Sequence, residues 1–321
     1  MKIFVTGASG FVGGAFTTAA VKAGHDVRAM SRSEKSDGVI REFGAEPWRS
    51  NLGALEIDHL LGCHAVVHSA AFVEQWGTRE QFWNANVVGT EQLLKMARAA
   101  GVKRFVHVGT EAALFHGQEM PNIDETYPYP EHTPFLYSET KAEAEKRVLG
   151  ANETGVFETI SIRPRLVWGP GDKTVLAAVK EMVAKGGFMW MDGGQARTSI
   201  THIDNLVEAL MLALEIGRAG EAYFVTDDEN MTFREFLTSY LKTQGVRLPD
   251  KSIPGWLARA AAAGLEGVWK ALPLRSAPPL TRFAASITSR ECTINIDKIK
   301  RDMGYRPVIT VAAGMKSMPV V

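Results

Sequence analysis

The stretch Lys2-Ile-Phe-Val-Thr-Gly-Ala-Ser-Gly-Phe-Val-Gly13 constrains the fold more than any other part of the chain. Ile3, Phe4 and Val5 read as a short buried strand, and Phe11 to Ala23 as an apolar helix. Between them Gly7, Gly10 and Gly13 form a G-x-x-G-x-x-G turn. Gly7 permits the tight turn, Gly10 lets backbone N–H groups approach a pyrophosphate, and Gly13 lets the helix pack close to the strand. The helix dipole favours the phosphates further. A strand feeding such a turn and helix predicts α/β architecture, a Rossmann-like doubly wound parallel sheet that binds a dinucleotide.

His25 to Arg32 reads as the second strand, whose end faces the adenosine ribose in such a fold. An acid there suits the ribose hydroxyls of NAD. This chain has Ser31 and Arg32, followed by Ser33 and Lys35. A hydroxyl beside a guanidinium suits a 2′-phosphate, so NADP is favoured over NAD. Asn51, after a short strand and turn over 44–52, is placed near the adenine. The run Ala65-Val-Val-His-Ser-Ala-Ala71 is apolar throughout, as a parallel strand buried on both faces should be. Small residues at its end leave room for a cofactor, and His68 reads as a packed core histidine.

Further along, 84–99 reads as a helix, 104–110 as a strand, 117–134 as a proline-bearing loop and 137–149 as a helix. A strand over 157–162 ends in Arg163-Pro-Arg-Leu-Val-Trp-Gly-Pro-Gly-Asp172, where proline and glycine mark the exit from the nucleotide core. The division expected is 1–165 with 200–226 returning as the nucleotide-binding domain, and 166–199 with 227–321 as a smaller C-terminal α/β substrate domain. Asp204 reads as a helix N-cap, and 231–244 as a helix. The apolar segment 252–283 reads as a packed helix of the small domain, in preference to a membrane-surface contact.

Composition narrows the function classes. A chain of 321 residues with 45% hydrophobic content and zero formal net charge offers no bulk electrostatic attraction for nucleic acid. Cys63 and Cys292 are far apart, which predicts reduced thiols, no disulfide framework and no metal site. No apolar run reaches the ~18 residues of a membrane-spanning helix. With a strand beginning at Lys2 no signal peptide is expected, and a cytoplasmic location follows.

Tyr137 and Lys141 lie four apart on one helix face. A phenol titrates near 10 in water, so a neighbouring ammonium is expected to lower it and make it a usable acid–base group. Lys141 is also suited to the nicotinamide ribose. Thr110, at an upstream strand end, is placed to hydrogen-bond the reacting carbonyl or hydroxyl. This set supports hydride transfer between a cofactor and a carbinol carbon.

The motifs Thr6-Gly-Ala-Ser-Gly-Phe-Val-Gly13, His68-Ser-Ala-Ala71, Asn86-Val-Val-Gly-Thr90, Tyr137-Ser-Glu-Thr-Lys141, Arg163-Pro164 and Met303-Gly-Tyr-Arg-Pro307 occur in this order over nearly the whole chain. Together they resemble the extended short-chain dehydrogenase/reductases, also called the NAD-dependent epimerase/dehydratase family. The 163–172 stretch is similar to the 3β-hydroxysteroid dehydrogenase and dihydroflavonol reductase branches. The resemblance implies cofactor contacts from Gly7, Ser9, Gly10, Phe11, Val12, Gly13, Ser31, Arg32, Asn51, Leu52, Ser69, Ala70, Ala71, Asn86, Val108, Tyr137, Lys141, Pro164 and Val167. It also implies a homodimer packed through the helices over 86–99 and 137–149. Where family members carry a serine, this chain carries Thr110, and a shift of one residue would put Glu111 there instead.

The reading that follows is an NADP- or NAD-dependent oxidoreductase interconverting a secondary alcohol and a ketone on a bulky, apolar, steroid- or flavonoid-like small molecule. Phe72, Trp76, Glu111, Phe115, Phe135, Arg165, Leu166 and Trp168 are the candidate substrate contacts. The alternative is a nucleotide-sugar epimerase or dehydratase that recycles its cofactor. Only one acid follows Thr110, where the sugar dehydratases carry two, and Arg165, Lys173 and Arg197 form no evident diphosphate cluster. A nonenzymatic cofactor sensor is the third reading, disfavoured by the intact tyrosine–lysine pair.

Overall fold

The computed structural model describes residues 1–272 and 276–319. Its centre is a seven-stranded sheet in the spatial order Glu221–Val225, Glu158–Pro164, Arg104–Val108, Ala65–His68, Lys2–Thr6, Asp26–Ser31, Glu46–Arg49. Every neighbouring pair is parallel. The chain builds outward from Lys2–Thr6 in one direction, then returns and builds outward in the other. The crevice between the carboxyl ends of Lys2–Thr6 and Ala65–His68 is therefore the point where strand order reverses, the usual ligand position of such sheets.

Alternation along each strand sends side chains to two cores. Ile3, Val5, Val67, Val106 and Ile160 pack with Phe16 and Ala20 of helix Phe11–Lys22 and with Leu206 and Leu210 of helix Ile203–Glu215. Phe4, Val66 and Phe105 pack on the other face with Leu93, Leu94 and Ala97 of helix Gly89–Ala99 and Val148 of helix Leu136–Gly150. Both faces are dry, which is why these strands read as continuous apolar runs. A third core gathers Trp168, Leu176, Val179, Trp190, Phe236, Tyr240 and Val311.

Several elements differ from the sequence reading. The helix expected over 84–99 begins at Arg79, where Thr78 and Gln81 form a capping box, and passes through a π-helical turn at Asn84–Val88. Within the proline-bearing loop, Met120–Ile123 is a strand paired with Cys292–Ile294. His202, not Asp204, caps helix Ile203–Glu215: its Nδ1 accepts the Asp204 N–H at 3.2 Å, and Asp204 lies in the first turn. Cys292, Ile294, Ile299, Met303 and Tyr305 pack into the core of the large sheet, although sequence order placed them with the substrate domain. The pairing at 120–123 joins segments more than 150 residues apart, and helix Asp297–Met303 packs on strand Glu221–Val225, with Tyr305 bonded to Thr226 79 residues earlier; local patterns encode neither. Segment 252–283 contains helix Gly255–Ala271 and the start of helix Arg282–Ser289. Among the described residues no helix is long and apolar enough to cross a membrane.

Candidate active site

The glycine turn is pressed against the end of strand Ala65–His68. Gly7 has φ +70°, and a Cβ there would lie 2.7 Å from Ser69 Oγ and 2.8 Å from the Ala70 nitrogen. A Cβ on Gly13 would collide with the Gly7 carbonyl. Gly10 is the N-cap of helix Phe11–Lys22 and supplies no side chain to its first-turn N–H groups. Those donors, with Ser9, Phe11 and Val12 around them, fit an anionic pyrophosphate. Thr6 stitches the crevice floor: its carbonyl accepts from Ser69 Oγ at 2.8 Å and its hydroxyl from the Ala70 N–H at 3.2 Å. His68 is wedged between Thr6 Oγ1 at 2.7 Å and Thr90 Oγ1 at 2.9 Å. Burial, aided by the Lys141 ammonium, pulls its pKa down to about 3. It is a neutral packed histidine, as its sequence context indicated.

At the end of the second strand Ser31 is buried, and its hydroxyl donates to the Ser33 carbonyl at 3.1 Å. Arg32 is exposed, and among the described residues its guanidinium has no protein partner. The structure adds a residue that sequence reading missed. Asp37, on helix Glu34–Glu42, is held below the usual carboxylate range by Ser31 and Arg49, and ion-pairs with Arg49 at 2.5 Å. Asn51 Oδ1 accepts the Gly53 N–H at 2.9 Å, and Leu52 packs against Gly89.

Asn86 is placed differently from the expectation of a cofactor contact. It is buried in the π-helical turn, where Oδ1 accepts the Phe72 N–H at 2.7 Å. Its Nδ2 donates to the Phe72 carbonyl at 3.2 Å and to Thr140 Oγ1 at 3.1 Å. The amide thus ties the 72–76 loop to the Tyr137 helix. Pro164 ends its strand and Val167 pairs with Thr201, so both line the carboxyl edge.

Tyr137 and Lys141 project from the first turns of helix Leu136–Gly150. Lys141 is 3% exposed; its Nζ donates to the Val108 carbonyl at 2.8 Å and lies 3.4 Å from His107 Nε2. Burial lowers it to about 8, against the opposing pull of Glu145. The Tyr137 phenol moves opposite to expectation. Burial and then the Glu111 carboxylate raise it, while a hydrogen bond with Thr110 acts the other way. Lys141 does not lower it because its ammonium is turned to the Val108 carbonyl.

The Thr110 hydroxyl favours the Tyr137 phenolate, whereas the Glu111 carboxylate acts on the phenol through its charge and disfavours it. Glu111 turns aside: Oε2 accepts from Thr110 Oγ1 at 2.8 Å and Oε1 from Arg165 Nη1 at 2.6 Å. Both partners are 5% exposed, so Glu111 and Arg165 are buried against each other and do not form an open pocket wall. Phe115 and Phe135 are buried and stacked at 5.5 Å. The aromatic beside the phenol is Phe283, edge-on to Phe135 at 5.5 Å and to Tyr137 at 5.6 Å. It lies in the apolar 252–283 segment without having been singled out there. Phe72 packs edge-on to Phe82 at 4.8 Å, and half-buried Trp76 follows it in the same loop. Gln75 Oε1 of that loop accepts from Thr281 Oγ1 at 3.2 Å, joining it to the Phe283 helix. Trp168 is not a wall residue. It is fully buried in the third core, with Nε1 donating to Asp227 at 2.8 Å. Leu166 packs at the edge of that same core.

A dinucleotide-type sheet that brings a tyrosine, a lysine and a threonine to its carboxyl edge defines a nicotinamide-dependent oxidoreductase of the short-chain type. The chain belongs to the 3-beta hydroxysteroid dehydrogenase/isomerase family, whose model matches residues 4–254. It is 39% identical over 320 residues to the 4-hydroxy-2-methyl-3-oxo-4-farnesyl-3,4-dihydroquinoline-1-oxide ketoreductase of Stigmatella aurantiaca, covering 99% of this chain and 96% of that one. It is 34% identical to the 2-alkyl-3-oxoalkanoate reductase of Stenotrophomonas maltophilia (strain K279a), covering 99% and 98%. The fold matches the UDP-glucuronic acid 4-epimerase of Bacillus cereus in complex with NAD, with a TM-score of 0.76, 18% identity and coverage of 99% and 97%.

Proposed function

We propose that the protein is an NADP-preferring reductase of ketones, and dehydrogenase of the corresponding alcohols, acting on a bulky and largely apolar small molecule. The observation that carries this reading is Phe283, edge-on to the Tyr137 ring at 5.6 Å with Phe135 and Phe115 behind it. A hydroxyl-rich sugar against those rings would leave polar groups unpaired, which costs free energy. Both relatives are named as reductases of an oxo group, one on a farnesyl-bearing ring and one on an alkyl-bearing chain. This supports the same reaction here and leaves the epimerase alternative without a specific observation in its favour.

Gly7, Gly10, Gly13 and the helix N-terminus would hold the pyrophosphate, Lys141 the nicotinamide ribose and Arg32 the 2′-phosphate. Arg49 neutralises Asp37, a carboxylate acted on by Ser31 at the second strand end, which favours NADP over NAD. When bound, the cofactor supplies or accepts the hydride. Tyr137 Oη gives its proton to the ketone oxygen in reduction and takes it back in oxidation, with Thr110 beside it. Lys141 contributes positive charge below about pH 8. The 72–76 loop and the Phe283 helix exclude water from the reacting atoms. A cytoplasmic location is proposed from two buried, unpaired cysteines, Cys63 and Cys292. A homodimer through helices Gly89–Ala99 and Leu136–Gly150 is proposed from the family resemblance.

The test is turnover with NADP(H) and NAD(H) across keto steroids, flavanonols, alkyl and aryl ketones and nucleotide sugars, with coenzyme absorbance and product mass followed together. Net coenzyme change with an apolar ketone or alcohol is expected. Product from a nucleotide sugar without net coenzyme change would overturn the reading.

A further inference from the structure

His107 stands near the end of strand Arg104–Val108 and is buried. Its Nδ1 has no hydrogen-bond partner among the described residues, and a buried polar atom left unpaired is destabilising. Its Nε2 lies 3.4 Å from the Lys141 ammonium. An apolar side chain would fill this place without an unpaired nitrogen, so the reason for an imidazole lies at Nε2. An ammonium only donates, which makes Nε2 the accepting nitrogen and puts the ring proton on Nδ1. His68, opposite His107 in strand register with ring centroids 5.4 Å apart, has the reverse arrangement. Thr90 Oγ1 donates to the Asn86 carbonyl at 2.6 Å, so it accepts from His68 Nε2 at 2.9 Å, while Thr6 Oγ1 donates to His68 Nδ1 at 2.7 Å. Of the two rings, His107 is the one that offers a lone pair to Lys141.

We propose that His107 is a positioning residue that seats Lys141: its Nε2 and the Val108 carbonyl take two of the three ammonium N–H groups and leave the third for the nicotinamide ribose. The inference deepens the reductase reading and rests on it for its function. The Val108 carbonyl accepts from Nζ at 2.8 Å and belongs to the same strand as His107, so both acceptors come from one rigid element at the sheet's carboxyl edge. Among the described residues no other group accepts from Nζ. Burial, with the charges of Lys141 and His68 adding to it, holds His107 well below the usual histidine range, so the ring stays neutral and able to accept. The other titratable groups about the amine are accounted for. His68 is neutral in its own bonds, Tyr137 lies one turn back on the same helix, and Glu111 is paired with Arg165. Glu145, one turn further along that helix, accepts from Arg163 Nη2 at 2.7 Å, Tyr129 Oη at 2.6 Å and Ser161 Oγ at 2.5 Å. Its charge reaches Lys141 through space, with no bond to Nζ.

The experiment is NMR of the cofactor-free protein labelled at histidine nitrogen and lysine carbon, with His107→Phe and Lys141→Met as assignment references. Two-bond proton–nitrogen correlations are expected to show His107 protonated at Nδ1, with its signals moving in Lys141→Met. A ring protonated at Nε2, or His107 signals that Lys141→Met leaves in place, would overturn the proposal. Lys141 is followed through the pH dependence of its Cε signal. In His107→Phe the ammonium loses an acceptor, and its midpoint is expected to fall by at least about half a unit, roughly threefold in proton affinity. In His107→Gln, whose amide oxygen can take the place of Nε2, the midpoint is expected to return toward the natural value. An unchanged midpoint in His107→Phe, or no recovery in His107→Gln, would assign the ring to packing alone and overturn the proposal. NADPH affinity against pH is expected to share the Lys141 midpoint in each protein; an affinity indifferent to it would overturn the part assigned to the ribose. Carbonyl turnover of the natural protein is measured in parallel: its absence would sink the reductase reading, while the spectra, recorded without cofactor or substrate, decide the seating of Lys141 by His107.

Discussion

Tyr137→Phe removes one oxygen and leaves the ring against Phe283. Loss of a general acid costs about 10²–10⁴-fold, so ketone turnover should fall by that order while NADPH fluorescence titrations show unchanged binding. Retained turnover would exclude Tyr137 as donor. Lys141 carries its own pH signature. Below about pH 8 it is charged in the folded chain as in the unfolded one; between about 8 and 10.5 only the unfolded chain keeps the proton. Its contribution to stability therefore rises with pH across that window, while its ammonium is lost to function. Coenzyme affinity should weaken above about pH 8, and be flat across the window in Lys141→Met. Arg32→Ala should remove a charge-assisted contact worth about 1.5–3 kcal/mol, roughly ten- to hundredfold in NADPH affinity, with NADH unchanged. Equal effects on both coenzymes would count against a 2′-phosphate site. At this scale the sequence marked the tyrosine and lysine through their four-residue spacing, while the threonine was marked only by its place at a strand end, with Glu111 one residue away as the alternative. The Glu111–Arg165 pair was not legible as a pair: 54 residues separate them, and only the fold joins them. Trp168 misled for a related reason, since an aromatic residue near a glycine-rich exit signals burial without saying in which core.

The π-helical turn at Asn84–Val88 is where one element reaches two others. Inserting one residue into the helical ladder aims Asn86 inward, a use such turns often serve near functional sites. Asn86→Ala would strip the Phe72 N–H and carbonyl of their Asn86 partner, and Thr140 Oγ1 of one of its bonds. The expected cost is about 1–3 kcal/mol in urea unfolding, with KM for the ketone raised more than KM for the coenzyme as the 72–76 loop loosens. An unchanged unfolding midpoint would show that the amide is dispensable. The motif Asn86-Val-Val-Gly-Thr90 was legible, but its role was not, because a turn of this kind leaves no mark in the apolar spacing. The capping box of Thr232 with Glu235 begins a helix where the sequence reading put one, but the box of Thr78 with Gln81 was passed over, and helix Ile203–Glu215 is capped by His202, a residue type that carries no usual cap signal.

For the whole molecule, the surfaces decide how copies meet. Helices Gly89–Ala99 and Leu136–Gly150 lie side by side, and the surface they share is charged. Arg147 pairs with Glu91 and Glu143, Arg98 with Glu153, and Arg79 with Glu139 at 2.6 Å. The large exposed apolar residues lie elsewhere, with Trp256, Leu257 and Val268 on helix Gly255–Ala271 and Leu272 following it. A dimer through the charged helix pair depends on electrostatic complementarity, which salt screens over about 10 Å or less. A dimer through the apolar helix depends on burial, which salt does not weaken. Sedimentation velocity at low and high sodium chloride distinguishes them. The helix-pair homodimer should dissociate as salt rises, and charge reversal at Glu91 should weaken it further while leaving turnover of each monomer's site intact. A dimer that tightens with salt and is lost in Trp256→Ser would instead place the interface on helix Gly255–Ala271, beside the Phe283 helix, and would couple assembly to the apolar side of the site.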